Sequence, residues 1–202
     1  MKCRLVLASA SPRRAEILTR LGIDFSVRPP EVDETVRPGE FPAVAARRLA
    51  SEKACSVAMR PGEFVLGADT IVALGDETLG KPARDVDAIE MLQRLAGRDH
   101  HVFTGLAVRS DGRISSGVER TRVRFRVLAR SECEEYVATG EPADKAGAYG
   151  IQGRGSALVD GIDGDFFNVM GLPVQLLLRL LDEQGIRYDF EALAARVTPD
   201  AH

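Results

Sequence analysis

The sequence predicts a mixed α/β fold, with helices packed on a sheet that has substantial antiparallel pairing. Three observations carry this. Strand-like and helix-like segments alternate along the first half of the chain. The middle holds two long strand-like runs joined by Asp111-Gly112, a strong hairpin signal. No internal repeat, low-complexity tract or bilayer-length apolar run interrupts the pattern.

Element by element, Arg4–Ala8 reads as a strand and Pro12–Leu21 as a helix. Ser11 is its predicted N-cap, Pro12 suits the first turn, and Gly22 closes it. Asp24–Val27 is a short strand and Pro29–Gly39 a long acidic loop. Pro42–Met59 is helical, with Val44, Leu49 and Val57 as the inner face. Phe64–Leu74 is a strand and Gly75–Arg84 a Gly/Pro-containing loop. Asp85–Ala96 is a helix capped by Asp85 and ended by Gly97, with Ala88, Ile89, Leu92 and Leu95 on one face. His101–Arg109 and Ile114–Leu128 are the hairpin strands. The second alternates, with Val123, Phe125 and Val127 facing the core and Arg122, Arg124 and Arg126 the solvent. Ser131–Glu134 is a capping box opening a short helix. Glu141–Gly171 is Gly-rich and almost without period, Leu172–Glu183 is an apolar helix ended by Gly185, and the tail is a loose final helix.

The length, 202 residues, fits one domain over 1–202 with 186–202 as a peripheral tail. Hydrophobic and charged shares of 45% and 28% are those of a soluble globular chain. A net charge of -3 gives no global reason to expect nucleic acid or a membrane surface as partner. The apolar stretch after Lys2 is too short for a signal peptide. Cys3, Cys55 and Cys133 are odd in number and scattered, which argues against a disulfide framework and predicts a cytoplasmic location.

Several motifs are decoys. Gly75-Asp-Glu-Thr-Leu-Gly-Lys81 matches a P-loop up to its lysine, but Pro82 stands where a hydroxyl is needed, so it reads as a turn delivering Lys81. Gly147, Gly150, Gly153 and Gly155 do not follow the dinucleotide order. His100 and His101 begin a strand, where neighbours point to opposite faces, so they are not a metal pair.

What remains is a set of charges at strand ends and helix starts. Arg13 and Arg14 open a helix, where the partial positive charge disfavours cations unless an anion is bound there. Asp69 interrupts a strand apolar on both faces. Burying it requires a partner, a metal or a cleft, and a structural salt bridge is the plainer alternative. Lys53 shares a helix face with Leu49 and Val57, as a site residue or a snorkelling one. Basic Arg13, Arg14, Lys53 and Lys81 with acidic Glu34 and Asp69 suggest a polyphosphate with a divalent cation.

Leu7-Ala-Ser-Ala-Ser-Pro-Arg-Arg14, Val32-Asp-Glu34, Gly67-Ala-Asp-Thr-Ile-Val72, Gly80-Lys-Pro82, Thr104-Gly105, Asp144–Gly153 and Asn168-Val-Met-Gly-Leu-Pro173 stand in the order found in the Maf family. The resemblance spans roughly Leu5 to Leu181. It implies an inosine triphosphate pyrophosphatase-like fold: an elongated mixed sheet, two α/β lobes and a cleft between them. It also implies hydrolysis of a nucleoside triphosphate to the monophosphate and pyrophosphate with Mg²⁺ or Mn²⁺, and a possible homodimer. By position, Asp69 is the implied catalytic carboxylate and metal ligand, and Glu34 a second metal ligand. Ser9, Arg13, Arg14, Lys53 and Lys81 would bind phosphate, and Arg13, Thr70 and Gln152 would select substrate. Gly147-Ala-Tyr-Gly-Ile-Gln152 resembles the dTTP/UTP branch, and one donor and one acceptor on Gln152 suit a uracil or thymine edge. Pro30-Glu-Val-Asp-Glu-Thr35 resembles the branch acting on 7-methyl-GTP more than its sister, but it lies in the loop and not in the base-selecting positions, so it is discounted. Two alternatives stay open: that sister specificity, or a nucleotide-binding regulator of septum formation with incidental hydrolysis.

Overall fold

A computed structural model describes residues 4–195. Lys2, Cys3 and the end of the expected tail helix lie outside them. The chain is a mixed α/β fold, as predicted. Its main sheet has the strand order β2-β1-β3-β5-β6-β7, with β4 paired to the far part of β3. The strands are β1 Arg4–Ala8, β2 Phe25–Val27, β3 Glu63–Leu74, β4 Glu77–Leu79, β5 Asp99–Ser110, β6 Arg113–Phe125 and β7 Val159–Asp163. β1 runs parallel to β2 and β3, and every other pairing in this sheet is antiparallel.

Alternation along the strands divides the core. On one face, Leu5, Leu7, Leu66, Val72, Val102, Leu106, Val123 and Phe125 are buried with residues of α1 (Pro12–Arg20), α3 (Asp85–Leu95) and α6 (Val174–Glu183). α6 contributes Leu176, Leu177, Leu180 and Leu181, each at most 2% exposed. Burying each stabilises the fold by roughly 1.5–3 kcal/mol. On the other face lies α2, Pro42–Ser56. Its buried side is Ala45, Ala46, Leu49, Ala50, Lys53 and Ala54, and expected Val44 is instead 57% exposed.

That small-residue side has a consequence for the site. Opposite it, β3 and β5 carry glycines. A Cβ built on Gly67 would lie 2.1 Å from Ala50 O, and one on Gly105 would lie 2.1 Å from Ala46 O. The helix backbone therefore sits directly on the sheet backbone, a distance only Gly permits. Lys53 is thereby brought over Asp69, which pairs in register with Gly105.

The remaining differences are local. Ser11 occupies the N-cap position of α1 but makes no side-chain cap bond. The N-cap of α3 is Arg84, not Asp85. The loop Gly75–Arg84 contains β4, whose three residues are too few for a periodic signal. α4, Arg130–Val137, starts before the expected box: its N-cap is Ala129, whose N–H donates to Glu132 at 2.8 Å. Val127 is 81% exposed, because β6 ends at Phe125. The expected arginine row is solvated, with Arg122 and Arg124 of β6 paired to Asp163 and Asp160, and Arg126, just past the strand, paired to Glu132. His100 is buried against Phe125 and Tyr149, while His101 sits beside Phe103. The tail is not a helix at its start. Ile186–Tyr188 (β8) and Leu193–Ala195 (β9) pair as a hairpin, and Ile186 and Leu193 are buried in the main core. No helix among the described residues is long and apolar enough to cross a membrane.

Candidate active site

The edge of β3 opens where the site lies. β1 pairs with it as far as Ala8↔Gly67, and β4 takes over at Val72↔Leu79. The stretch 68–71 between them has neither neighbour on that edge. β1 leaves the sheet here and turns through Ser9 into α1. The result is a cleft of about 580 Å³ lined by the start of α1, Glu34, Lys53, Asp69, Thr70, Lys81 and the segment 144–153.

Asp69 projects from the α2 face of β3, with its side chain 8% exposed. Its Oδ1 accepts from Lys53 Nζ at 2.6 Å, and the same ammonium lies 2.8 Å from Glu34 Oε1. Lys53 is itself only 5% exposed, and a buried ammonium is tolerated because it is paired. Both plain alternatives are thus part of the answer: Asp69 and Lys53 form a salt bridge, and that bridge lines the cleft. Burial raises the Glu34 carboxyl, but the Lys53 hydrogen bond and the charges of Lys53, Lys81 and Arg14 outweigh it, holding Glu34 below the usual carboxylate range. Two carboxylates thus share one ammonium in an oxygen-rich corner that the charges of Lys81 and Arg14 also reach.

The opposite face of β3 carries a second network. Arg14 is buried and spends its fork within the protein. Nε donates to Gly171 O at 2.9 Å, Nη1 to Ser9 Oγ at 2.8 Å and Nη2 to Thr70 Oγ1 at 3.1 Å. Thr70 and its cross-strand partner Thr104 share a hydroxyl contact of 3.0 Å, and Thr104 donates to Asn168 O at 2.8 Å. Burial lowers the Arg14 pKa, with Asp69 and Glu34 opposing that and Arg13 adding to it. Arg14→Lys keeps the charge but not the three-way fork. It should cost about 1–3 kcal/mol of stability through buried acceptors left unpaired. Thermal unfolding of the variant checks this, and an unchanged midpoint would show the network to be dispensable.

Arg13 points elsewhere. It is half-exposed and donates to Asp144 at 3.1 Å, while Asp144 also accepts from Lys145 at 2.6 Å. Lys81 is exposed at the cleft edge, delivered by the β3–β4 hairpin rather than by a phosphate loop. Gln152 lines the far wall. The structure therefore brings Ser9, Arg13, Arg14, Glu34, Lys53, Asp69, Thr70, Lys81 and Gln152 to one cleft. Sequence reasoning gave no role to Glu141, Asp144, Lys145 and Tyr149 in the same wall. A signal existed for Asp144 and Lys145, which open the last-but-one matched motif. Glu141 lies outside every motif.

Residues 4–184 match the profile of the family described as Maf-like protein. The chain belongs to the Maf family. Similar curated proteins include a dTTP/UTP pyrophosphatase of Symbiobacterium thermophilum, 52% identical over 184 residues, covering 90% of this chain and 94% of the relative. A dTTP/UTP pyrophosphatase of Myxococcus xanthus is 50% identical over 189 residues, covering 93% and 96%. One of Aquifex aeolicus is 48% identical over 184 residues, covering 91% and 96%. Among solved structures, a HAM1 protein from Coxiella burnetii is similar at a TM-score of 0.42 and 18% identity, over 61% of this chain and 73% of that one.

Proposed function

We propose that this Maf protein hydrolyses dTTP and UTP to the monophosphate and pyrophosphate. One observation carries the reading. Asp69, Glu34 and Lys53 meet at one end of a cleft that also holds Arg13, Lys81 and Gln152, in a chain about half identical to dTTP/UTP pyrophosphatases.

In this reading the triphosphate tail lies between the start of α1 and Lys81. Backbone N–H groups of the first turn have no helical partner there, and Arg13 exchanges Asp144 for phosphate oxygens. Arg14 keeps Ser9 and Thr70 in place from behind. Asp69 orients a water in line with the α-phosphorus and accepts its proton. Lys53, Lys81 and Arg13 offset the charge that leaves with pyrophosphate. Gln152 reads the base edge.

Mg²⁺ or Mn²⁺ fits the hard oxygen donors of Glu34 and Asp69, which would hold it. No trio of His, Cys, Asp or Glu forms a protein-only metal cage among the described residues, so phosphate oxygens and water would complete the shell. When bound, the ion would supply Lewis-acid offset of the phosphate charge.

The test is a substrate panel of dTTP, UTP, dCTP, GTP and 7-methyl-GTP with Mg²⁺ and then Mn²⁺, read as pyrophosphate release. dTTP and UTP should be turned over fastest, and excess EDTA should remove activity. A preference for 7-methyl-GTP would move the protein to the sister specificity. Hydrolysis unaffected by EDTA would remove the metal from the proposal.

A further inference from the structure

Gln152 presents a donor and an acceptor on one rotatable carboxamide. Left free, it would pair with the amino edge of cytosine as readily as with the carbonyl edge of thymine. Selectivity therefore depends on whatever fixes the backbone that carries it, and that segment is an irregular, Gly-rich turn.

The fixing group is a carboxylate outside the segment. Glu141 Oε1 accepts from Tyr136 Oη at 2.9 Å and from Gly155 N at 3.0 Å, and Oε2 accepts from Arg154 N at 3.1 Å. The same phenol oxygen accepts from Gly150 N at 3.1 Å. Backbone N–H groups on both sides of Gln152 thus end on one carboxylate–phenol pair. Tyr136 is buried on α4, so the pair is anchored in the body of the protein.

The glycines follow from this closeness. A Cβ on Gly153 would lie 3.0 Å from Glu141 Oε2, and one on Gly155 would lie 2.6 Å from Tyr136 Oη and 2.1 Å from Gly150 O. The Gly-rich spacing therefore wraps an internal carboxylate and does not cradle a phosphate. Burial raises the Glu141 carboxyl, but the N–H of Gly155, the Tyr136 hydroxyl, the N–H of Arg154 and the Lys145 charge together hold it below its usual range. Its oxygens are committed to these bonds, which sets it apart from Asp69 and Glu34.

We propose that Glu141, acting with Tyr136, is a positioning residue for base selection: the pair locks residues 150–155 in the geometry that presents Gln152 to the nucleobase. This rests on the reading of Gln152 given above and deepens it.

The test uses full-length Glu141→Gln, Tyr136→Phe and Gln152→Ala. dTTP and dCTP turnover are measured by pyrophosphate release, with inorganic tripolyphosphate as a competitive inhibitor that has no base. In Glu141→Gln the ratio of kcat/KM for dTTP over dCTP should fall about tenfold or more, chiefly through KM. The inhibition constant of tripolyphosphate should stay within about twofold of wild type, because Arg13 is held by Asp144 and not by the Glu141–Tyr136 pair. Should Glu141→Gln fail to fold, Tyr136→Phe, which removes one hydroxyl, carries the same expectation. The proposal is overturned if the ratio survives in these variants while Gln152→Ala loses it. It is equally overturned if tripolyphosphate weakens in step with dTTP, since the role would then be general. A Gln152→Ala enzyme with unchanged selectivity would sink the base-reading role itself.

Discussion

Asp69→Asn is expected to lower dTTP turnover by roughly a thousandfold or more while the protein stays folded. Asparagine has the same shape and can still accept from Lys53, and Glu34 remains 2.8 Å from the ammonium, so the buried lysine keeps a charged partner. What disappears is a group able to take a proton from water. Pyrophosphate release together with a thermal melt separates the two effects. A variant that hydrolyses dTTP near the wild-type rate would remove Asp69 from the chemistry. One that is inactive because it no longer melts cooperatively would assign it to the fold.

Gly105→Ala should damage fold and site together. The added methyl would meet the backbone of α2 at Ala46, with the carbonyl oxygen at 2.1 Å and its carbon at 2.3 Å. Backbone cannot rotate away as a side chain can, so the helix must lift. Overpacking of this kind costs about 1–3 kcal/mol or more. Lys53 rides on that helix, and a displacement near 1 Å at the reacting groups can cost about a hundredfold in rate. Gly80→Ala is the control, since a Cβ there meets nothing within 4 Å and should change stability by no more than about 0.5 kcal/mol. Equal melting of the two variants would refute the close-contact account of α2.

The two variants also mark how far the sequence could be read. Asp69 stood out because a carboxylate in a run such as Val65–Ala73 needs a physical reason. Gly67 and Gly105 did not, because what makes them necessary is a helix far from Gly105 along the chain. Helix and strand boundaries near Pro12, Gly22, Gly97 and Gly185 were legible, since those residues act locally. The inner face of α2 was misjudged at Val44 because, apart from Leu49, its true stripe is alanine and lysine, which give little hydrophobic period. β4 and the β8–β9 hairpin are three-residue strands set by pairing, not by pattern. Glu141 was silent for a similar reason. A carboxylate in an aperiodic stretch acquires meaning only from the backbone that folds around it.

One bond links the two ends of the cleft. The amide of Gly147, just ahead of the turn that bears Gln152, donates to the carbonyl of Gly80 at 3.0 Å, and Gly80 immediately precedes Lys81. The segment that carries Gln152 and the turn that carries Lys81 are therefore tied by main chain alone. Because a backbone bond survives any change of side chain, substitutions at position 152 or 81 leave the spacing of the two segments in place.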